Sequence, residues 1–333
     1  DWPHSTCHRY VRDGVYASAV LGYMRVRCWG MIDADLTKWA SPFGYSTIVP
    51  MNIKIHLLKR TNAKIGKSLF IFFALFKSWL FPTRKMNILF SKHPDLEPNI
   101  KKGFRFTQHQ ITFEEFSPTN IKNYDLVVPL FIRDLKYLNE VRHLIIDNPI
   151  PIPSKESIAL CDDKYLFNQA METNGFAGFI PKMGGALTYP YILKKKIDYS
   201  SNNSHIIFNS DQEQIFKDVI SSPEYFCQEM ILGSREYATH ILFKDGKIVY
   251  SINIEYVFDK DTPIKGKDKA IYTKICRCPY LEIFSSILTI IGFEGLCCFN
   301  YKVVDNRPFI LEINPRFGGS LCPFFFSFLR HID

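Results

Sequence analysis

The chain has 333 residues, 47% hydrophobic and 22% charged, with a formal net charge of +8. That is the composition of a soluble globular protein, which excludes a chain too poor in apolar residues to bury a core and leaves room for one large or two ordinary domains. The charge is uneven: residues 1–85 carry 13 lysines and arginines against 4 acidic residues, leaving 28 against 29 for residues 86–333, so the pI gives no reason to expect a basic face on the main body.

The chain opens with the polar "DWPHSTCHRY", which lacks the charged flank and apolar centre of a signal peptide. The following "ASAVLGYMRVRCWGMIDADLTKWASPFGYSTIVP" has no sustained period. The most apolar window, "LFIFFALFKSWLF" (69–81), is interrupted by Lys77 and falls short of the roughly 20 apolar residues of a membrane span. A membrane-surface segment, a buried one and a disordered one all remain compatible with it. Residues 1–16, "DWPHSTCHRYVRDGVY", resemble the C-terminal tail of the tyrosine transposases associated with repetitive extragenic palindromes. The catalytic parts of such an enzyme would lie upstream, so residues 1–85 are expected to be a fused or read-through remnant. An ordinary basic extension and a nucleic-acid-binding arm are the alternatives.

From Met86 the texture becomes that of an α/β protein, with short apolar runs alternating with helix-like stretches. "MNILFS" (86–91), "NYDLVVPL" (123–130) and "HLIID" (143–147) read as strands, and "LEPNIKKGFRF" and "IRDLKYLNEV" as helical or mixed segments between them. A small, mostly parallel sheet covered by helices is the expected assembly. "NPIPIPS" (148–154) reads as a linker, because its three prolines prevent helix or central strand.

"CDDKYLFNQAMETNGF" (161–176) reads as a helix with Lys164 in its first turn, ending at Asn174-Gly175. Taken alone, Lys164 reads as a solvated surface charge. "YPYILKKKIDYSSNNSHII" (189–207) is a strand delivering Lys194, then a polar loop, Ser200 to Ser204, and a second strand. A cation beside backbone able to turn N–H groups inward suits phosphate, though a lysine-rich hairpin explains the segment as well. "YFCQEMILGSREYATHILFKDGKIV" (225–249) holds Glu229 and Glu236 on either side of a short apolar hinge with Gly233, and "KDGK" reads as a tight turn between antiparallel strands. A hinge of this kind can hold adenine through backbone groups while carboxylates take its amino group or the ribose hydroxyls; two exposed strand glutamates are the plainer reading. In "GLCCFNYKVVDNRPFILEINPRFGGS" (295–320), two strands flank a turn. Asn300, Glu312 and Asn314 are expected on one face, where oxygen ligands suit Mg²⁺, with Arg316 beyond them for phosphate and Gly318-Gly319 allowing close approach of substrate. A satisfied polar cluster at a strand end is the alternative.

Taken in this order, the four segments resemble an ATP-grasp protein, and "EINPRFGGS" is close to the form found in carbamoyl phosphate synthetase-like members of that superfamily. The resemblance covers residues 86–333 and implies an α/β fold with α+β lobes: a pre-ATP-grasp domain over 86–150, then an ATP-grasp domain over 151–333. It implies ATP and Mg²⁺, with Mn²⁺ as an alternative ion. Lys164 and Lys194 would contact phosphates, Glu229, Met230, Ile231 and Leu232 would form the adenine hinge, and Glu236 would bind ribose. Asn300, Glu312 and Asn314 would ligate metal, and Arg316 would sit at the reacting phosphate. Asn300 stands where an acid or glutamine is common, and the loop after Lys194 is rich in Ser and Asn where glycine is usual. The chain ends at "CPFFFSFLRHID" soon after the motif, which raises the expectation of a further C-terminal piece.

The expected reaction joins a small carboxylate to an amine or similar nucleophile through an acylphosphate. A nucleotide-binding protein without ligase turnover is the alternative, and a DNA-associated protein using the basic arm a third. No membrane or nucleic-acid partner is expected, and no motif fixes the acceptor pocket, for which His240 and Lys265 are candidates. The nine cysteines form no CxxC pair and no zinc spacing with histidine, so reduced thiols and a cytoplasmic location are expected.

Overall fold

The first strand of the body, β1 (Asn87–Ser91), is the run "NILFS", and four of its five residues are buried. Burial on both faces explains why it reads as continuous apolar sequence, as central parallel strands do. Ile88 and Phe90 face one core with Leu126, Val128, Phe317 and Phe325, while Leu89 faces another with Val127, Leu135 and Leu138. In the computed structural model the described residues are 51–81, 83–184, 187–198 and 201–332, with side chains from Leu58 onward. The transposase-like stretch 1–16 and most of the basic N-terminal segment lie outside them, as do Tyr199 and Ser200 of the polar loop. The chain divides into two units, Asp1–Leu58 and Lys59–Asp333, and the three sheets all belong to the second.

Helix α1 (Met51–Leu80) turns Phe70, Ile71, Ala74 and Leu75 onto the first core. Among the described residues, no helix is long and apolar enough to cross a membrane. After β1 come α2 (Glu97–Phe104), β2 (Gln110–Glu114), β3 (Leu126–Val128) and α3 (Ile132–Glu140). The strands form a parallel sheet in the order β2-β1-β3. Asp134, in the first turn of α3, accepts from the Ser91 hydroxyl and from the Leu130 and Phe131 N–H groups, tying the helix start to the end of β1.

The expected strand over 143–147 is corrected here: Arg142–Leu144 is a 3₁₀ turn, and the third strand is β2. Ile145 is buried in the core but Ile146 is exposed, so the apolar run packs through one side of a turn. The edge of β3 is closed by a side chain. Asn148 accepts the Val127 N–H at 2.8 Å and donates to the Val127 carbonyl at 3.2 Å, making the pair of bonds that a fourth strand would make. "NPIPIPS" is extended, as expected of a linker.

Two helices follow, α4 (Lys155–Asp162) and α5 (Lys164–Thr173), and then a three-stranded antiparallel sheet of β4 (Tyr191–Lys195), β5 (His205–Ile207) and β6 (Tyr225–Glu229), in the order β5-β4-β6. Two short helices, α6 (Ser210–Ile215) and α7 (Lys217–Ile220), connect β5 to β6. The larger sheet is antiparallel with the order β11-β10-β7-β8-β9, formed by β7 (Arg235–Lys244), β8 (Lys247–Val257), β9 (Tyr272–Cys276), β10 (Gly295–Val304) and β11 (Arg307–Asn314). Asp245 and Gly246 in the "KDGK" turn, and Asp305 with Asn306 between β10 and β11, all have positive φ, the left-handed pairs that tight hairpins require. Helix α8 (Leu281–Ile290) covers the large sheet, stacking Phe284 on Phe299 at 4.2 Å. The C-terminal run from Phe325 to His331 is a 3₁₀ helix buried against β1, so "FFFSFL" is core.

Candidate active site

The cleft between the three-stranded and the five-stranded sheets gathers Lys164, Lys194, Glu229, Met230, Ile231, Glu236, Asn300, Glu312, Asn314 and Arg316. These are ten of the eleven residues expected from sequence; Leu232 is 51% exposed and does not line it.

Lys164 is placed by the start of α5. The Asp163 carboxylate caps the helix, accepting the Tyr165 and Leu166 N–H groups at 2.9 and 3.0 Å, and the Lys164 N–H bonds the Lys196 carbonyl at 2.9 Å. The Lys164 ammonium then donates to the Asp198 carbonyl at 3.0 Å and lies 3.6 Å from Glu312 Oε2. Glu312 on β11 pairs in register with Asn300 on β10, and Asn314 lies two residues along the same strand. Both carboxamides donate to Glu312 Oε1, at 2.6 and 3.0 Å. Burial alone would raise this carboxyl, but Lys164, Asn314, Asn300 and Lys194 outweigh it and hold it down at about 2.

Lys194 is buried on β4, where its ammonium donates to Gln228 Oε1 at 2.8 Å. Gln228 donates to Asn168 Oδ1 at 2.9 Å, and Asn168 donates to the Lys164 carbonyl at 2.6 Å. A relay of buried amides therefore links the Lys194 ammonium to the Lys164 backbone across different elements, holding the Lys194 ammonium before any ligand arrives. Burial pulls the Lys194 pKa down to about 8, with Glu312 and Glu236 opposing.

The hinge follows β6. The Glu229 N–H bonds the Lys182 carbonyl at 2.8 Å and its carboxylate accepts the Lys182 N–H at 3.2 Å, so Glu229 also fastens the segment that precedes β4. Met230 and Ile231 turn inward, and Gly233 adopts φ +128°, which a side chain would oppose. Lys302, almost fully buried on β10, donates to the Ile231 and Gly233 carbonyls at 2.8 and 2.9 Å and so anchors the hinge from beneath. Glu236 is buried on β7, and burial raises its carboxyl pKa against the pull of Lys265 and Lys302.

Sequence reasoning missed Lys302, Gln228 and Asn168, and named Lys265 and His240 only as candidates for an acceptor pocket. The strand period was the available signal for Lys302: it lies two residues from Asn300 on the same face of β10. Lys265, between β8 and β9, donates to Asn300 Oδ1, lies 3.8 Å from Glu236 Oε1 and sits 4.7 Å over the Tyr256 ring. Burial disfavours its charge, yet Tyr256, Glu236, Cys298 and Glu312 together hold its pKa above the ordinary value. His240, buried on β7, lies 2.7 Å from the Ser320 hydroxyl, and its ring occupies the space where a Cβ on Gly318 would come within 2.5 Å. Burial, with Lys265 and Arg316, pushes His240 down to about 3, so the imidazole is neutral in any ordinary buffer. Arg316 lines the cleft and donates to the Phe317 carbonyl at 3.0 Å.

As a metal donor set, Glu312 fits a hard cation: it is an ionised carboxylate among oxygen-bearing side chains, and such ions take their remaining ligands from water or phosphate. Asn314 fits by rotation of its carboxamide, whereas Asn300 turns its oxygen to Lys265. Among the described residues, no group of three or more His, Cys, Asp or Glu side chains is placed to hold a metal by itself, and the seven cysteines there are free thiols.

No protein-family model matches the chain, and no curated protein matches it. Solved structures do. A phosphoribosylamine–glycine ligase from Thermotoga maritima is similar with a TM-score of 0.55 at 13% identity, over 71% of this chain and 70% of that one. A D-alanine–D-alanine ligase from Bacillus anthracis matches at 0.50 and 14%, over 74% of this chain and 97% of that one. An L-amino acid ligase from Bacillus licheniformis matches at 0.50 and 12%, over 74% and 71%. With the parallel sheet followed by two antiparallel sheets around a cleft, these likenesses establish the ATP-grasp fold for this chain.

Proposed function

We propose that the protein is an ATP- and Mg²⁺-dependent ligase, similar to the carbamoyl phosphate synthetase-like branch, that joins a small carboxylate to an amine or similar nucleophile in the cytoplasm. The observation that carries this reading is the convergence of Lys164, Lys194 and two carboxamides on one ionised carboxylate, Glu312, beside an anchored hinge. Residues 86–150 would form the pre-ATP-grasp domain, 151–333 the ATP-grasp domain, and 1–85 an extension outside the catalytic unit.

Met230 and Ile231 would hold adenine, with Lys302 keeping their backbone in place, and Glu236 would accept the ribose hydroxyls. Lys164 and Lys194 would offset phosphate charge, and Arg316 the charge on the transferring phosphoryl group. Glu312 and Asn314 would hold Mg²⁺, or Mn²⁺ in its place, which would supply neutralisation of phosphate charge. The substrate carboxylate oxygen attacks the γ-phosphorus and ADP leaves; the nucleophile then attacks the acyl carbon, phosphate leaves and the amine gives up a proton. No covalent protein nucleophile is needed.

The deciding experiment is ADP release across a panel of carboxylic acids and amines. Acid-dependent ADP formation supports the ligase, whereas ATP binding with no ADP from any pair favours the second reading, a nucleotide-binding protein without turnover. That second reading draws on Lys265, whose ammonium occupies the Asn300 oxygen that would otherwise face a metal ion.

A pH series tests the phosphate site separately. Because the Lys194 pKa lies near 8, its charge is lost as pH rises through that value, and ATP affinity is expected to fall about tenfold between pH 7 and pH 9. Lys194→Met should bind more weakly at pH 7 and lose most of that dependence, as isothermal titration would show.

A further inference from the structure

The face of α1 turned away from the core is apolar. Ile65, Leu69, Phe72, Phe76 and Trp79 recur at alternating spacings of four and three residues, so they form one stripe along the helix, and all are exposed. Phe72 stacks on Phe76 at 6.1 Å and Phe76 lies 6.0 Å from Trp79, giving the stripe a continuous aromatic end. The opposite side is already used, with Phe70 edge-on to Phe324 at 5.7 Å and Ala63 buried. The stripe is thus a surplus apolar face on a docked helix, larger than scattered surface residues explain.

Charge identifies what covers it. Residues 51–85 contain eight lysines and arginines and no aspartate or glutamate. By helical geometry, Lys64 lies about 60° beyond one margin of the stripe and Lys59 and Lys77 about 80° beyond the other, and all three are exposed. A second copy packed on this face would bring two cationic margins together with no acid to offset them. An anionic lipid surface offers what the helix lacks: an apolar layer for the aromatic stripe, with phosphate headgroups at the level of the flanking ammonium groups. The helix is too short in apolar residues to span, which leaves lying in the interface.

We propose that α1 attaches the protein peripherally to anionic membranes, with the Ile65-to-Trp79 stripe buried among the acyl chains and the flanking basic residues at the phosphates. Such attachment is independent of ligase activity, since the stripe and the cleft share no residue.

The test is co-sedimentation of the full chain with vesicles of phosphatidylcholine alone and of phosphatidylcholine mixed with phosphatidylglycerol. Binding at least about tenfold tighter to the anionic vesicles is expected, weakening with added salt. One variant combines Phe72→Ser, Phe76→Ser and Trp79→Ser; the other combines Lys59→Glu, Lys64→Glu and Lys77→Glu. All these side chains are exposed, so melting should be unchanged while each variant binds about 100-fold more weakly. Absence of vesicle binding overturns the proposal, as does its persistence in either variant, which would place the lipid contact elsewhere. A concentration-dependent dimer that the aromatic variant abolishes, seen by sedimentation equilibrium without lipid, would instead assign the face to a second copy.

Discussion

Glu312→Ala is expected to lower acid-dependent ADP release by at least about 100-fold, because no other carboxylate in the cleft is held ionised by so many donors. The substitution removes the acceptor of both carboxamides and leaves Lys164 without its counter-charge, and Lys194 loses the strongest interaction that supports its proton. Glu312→Gln keeps the volume and separates shape from charge; it should be almost as inactive. Wild-type rates in either variant would refute the placement of metal and phosphate here. The same carboxylate predicts an acid effect on stability. Its folded pKa of about 2 lies below the ordinary value of 4.5, so its contribution is present above pH 4.5 and is lost as pH falls toward 2. That contribution is at most on the order of 3 kcal/mol. Urea midpoints for wild type and Glu312→Gln should therefore differ at pH 7 and converge at low pH, provided the chain still folds there.

The largest structural effect is expected from Gly295→Ala. Gly295 opens β10 with φ +109°, and a Cβ there would collide with the Pro151 carbonyl oxygen and sit 3.1 Å from the Pro153 ring. Both obstacles belong to the proline linker, and the nearer is backbone, so no rotamer change relieves it. Backbone strain and displacement of the linker together should cost about 3 kcal/mol or more. For a chain of this size that corresponds to a drop in Tm of roughly 4–5 °C or more. Gly246→Ala is the control: it has positive φ but nothing within 4 Å, so it should cost only the strain. Equal melting of the two variants would show that the linker does not press on β10.

Site residues were legible in the sequence where chemistry follows strand period. Glu312 and Asn314 could be placed on one face from strand spacing, and Lys164 at a helix start from Asp163 and the apolar positions after it; Asn300 joins that face only because the register shifts at Leu311, a bulge that spacing does not show. Partners supplied by distant elements were not legible. Gln228 and Asn168 are ordinary polar residues on a strand and a helix, and only the packing of α5 against β6 makes them a relay. Lys302 looks like a solvated lysine until the hinge folds over it. Leu232 was grouped with its neighbours, but it is exposed where Met230 and Ile231 are buried, and an apolar run alone does not show which of its residues turns outward. In the parallel sheet, "HLIID" has strand composition, but the core it serves is reached by a turn, and "QITFE" was overlooked because its half-buried residues alternate weakly.

Asn148 has a consequence for the protein outside its native state. A sheet that stops at an open edge is a template on which another chain can add itself, and short parallel sheets form slowly enough to be exposed while doing so. Here the edge of β3 is sealed by a carboxamide only 21 residues downstream, so closure needs no distant part of the chain. During synthesis the seal can form as soon as that short segment emerges, before either antiparallel sheet exists. Its contribution is thus as much to avoiding aggregation as to stability.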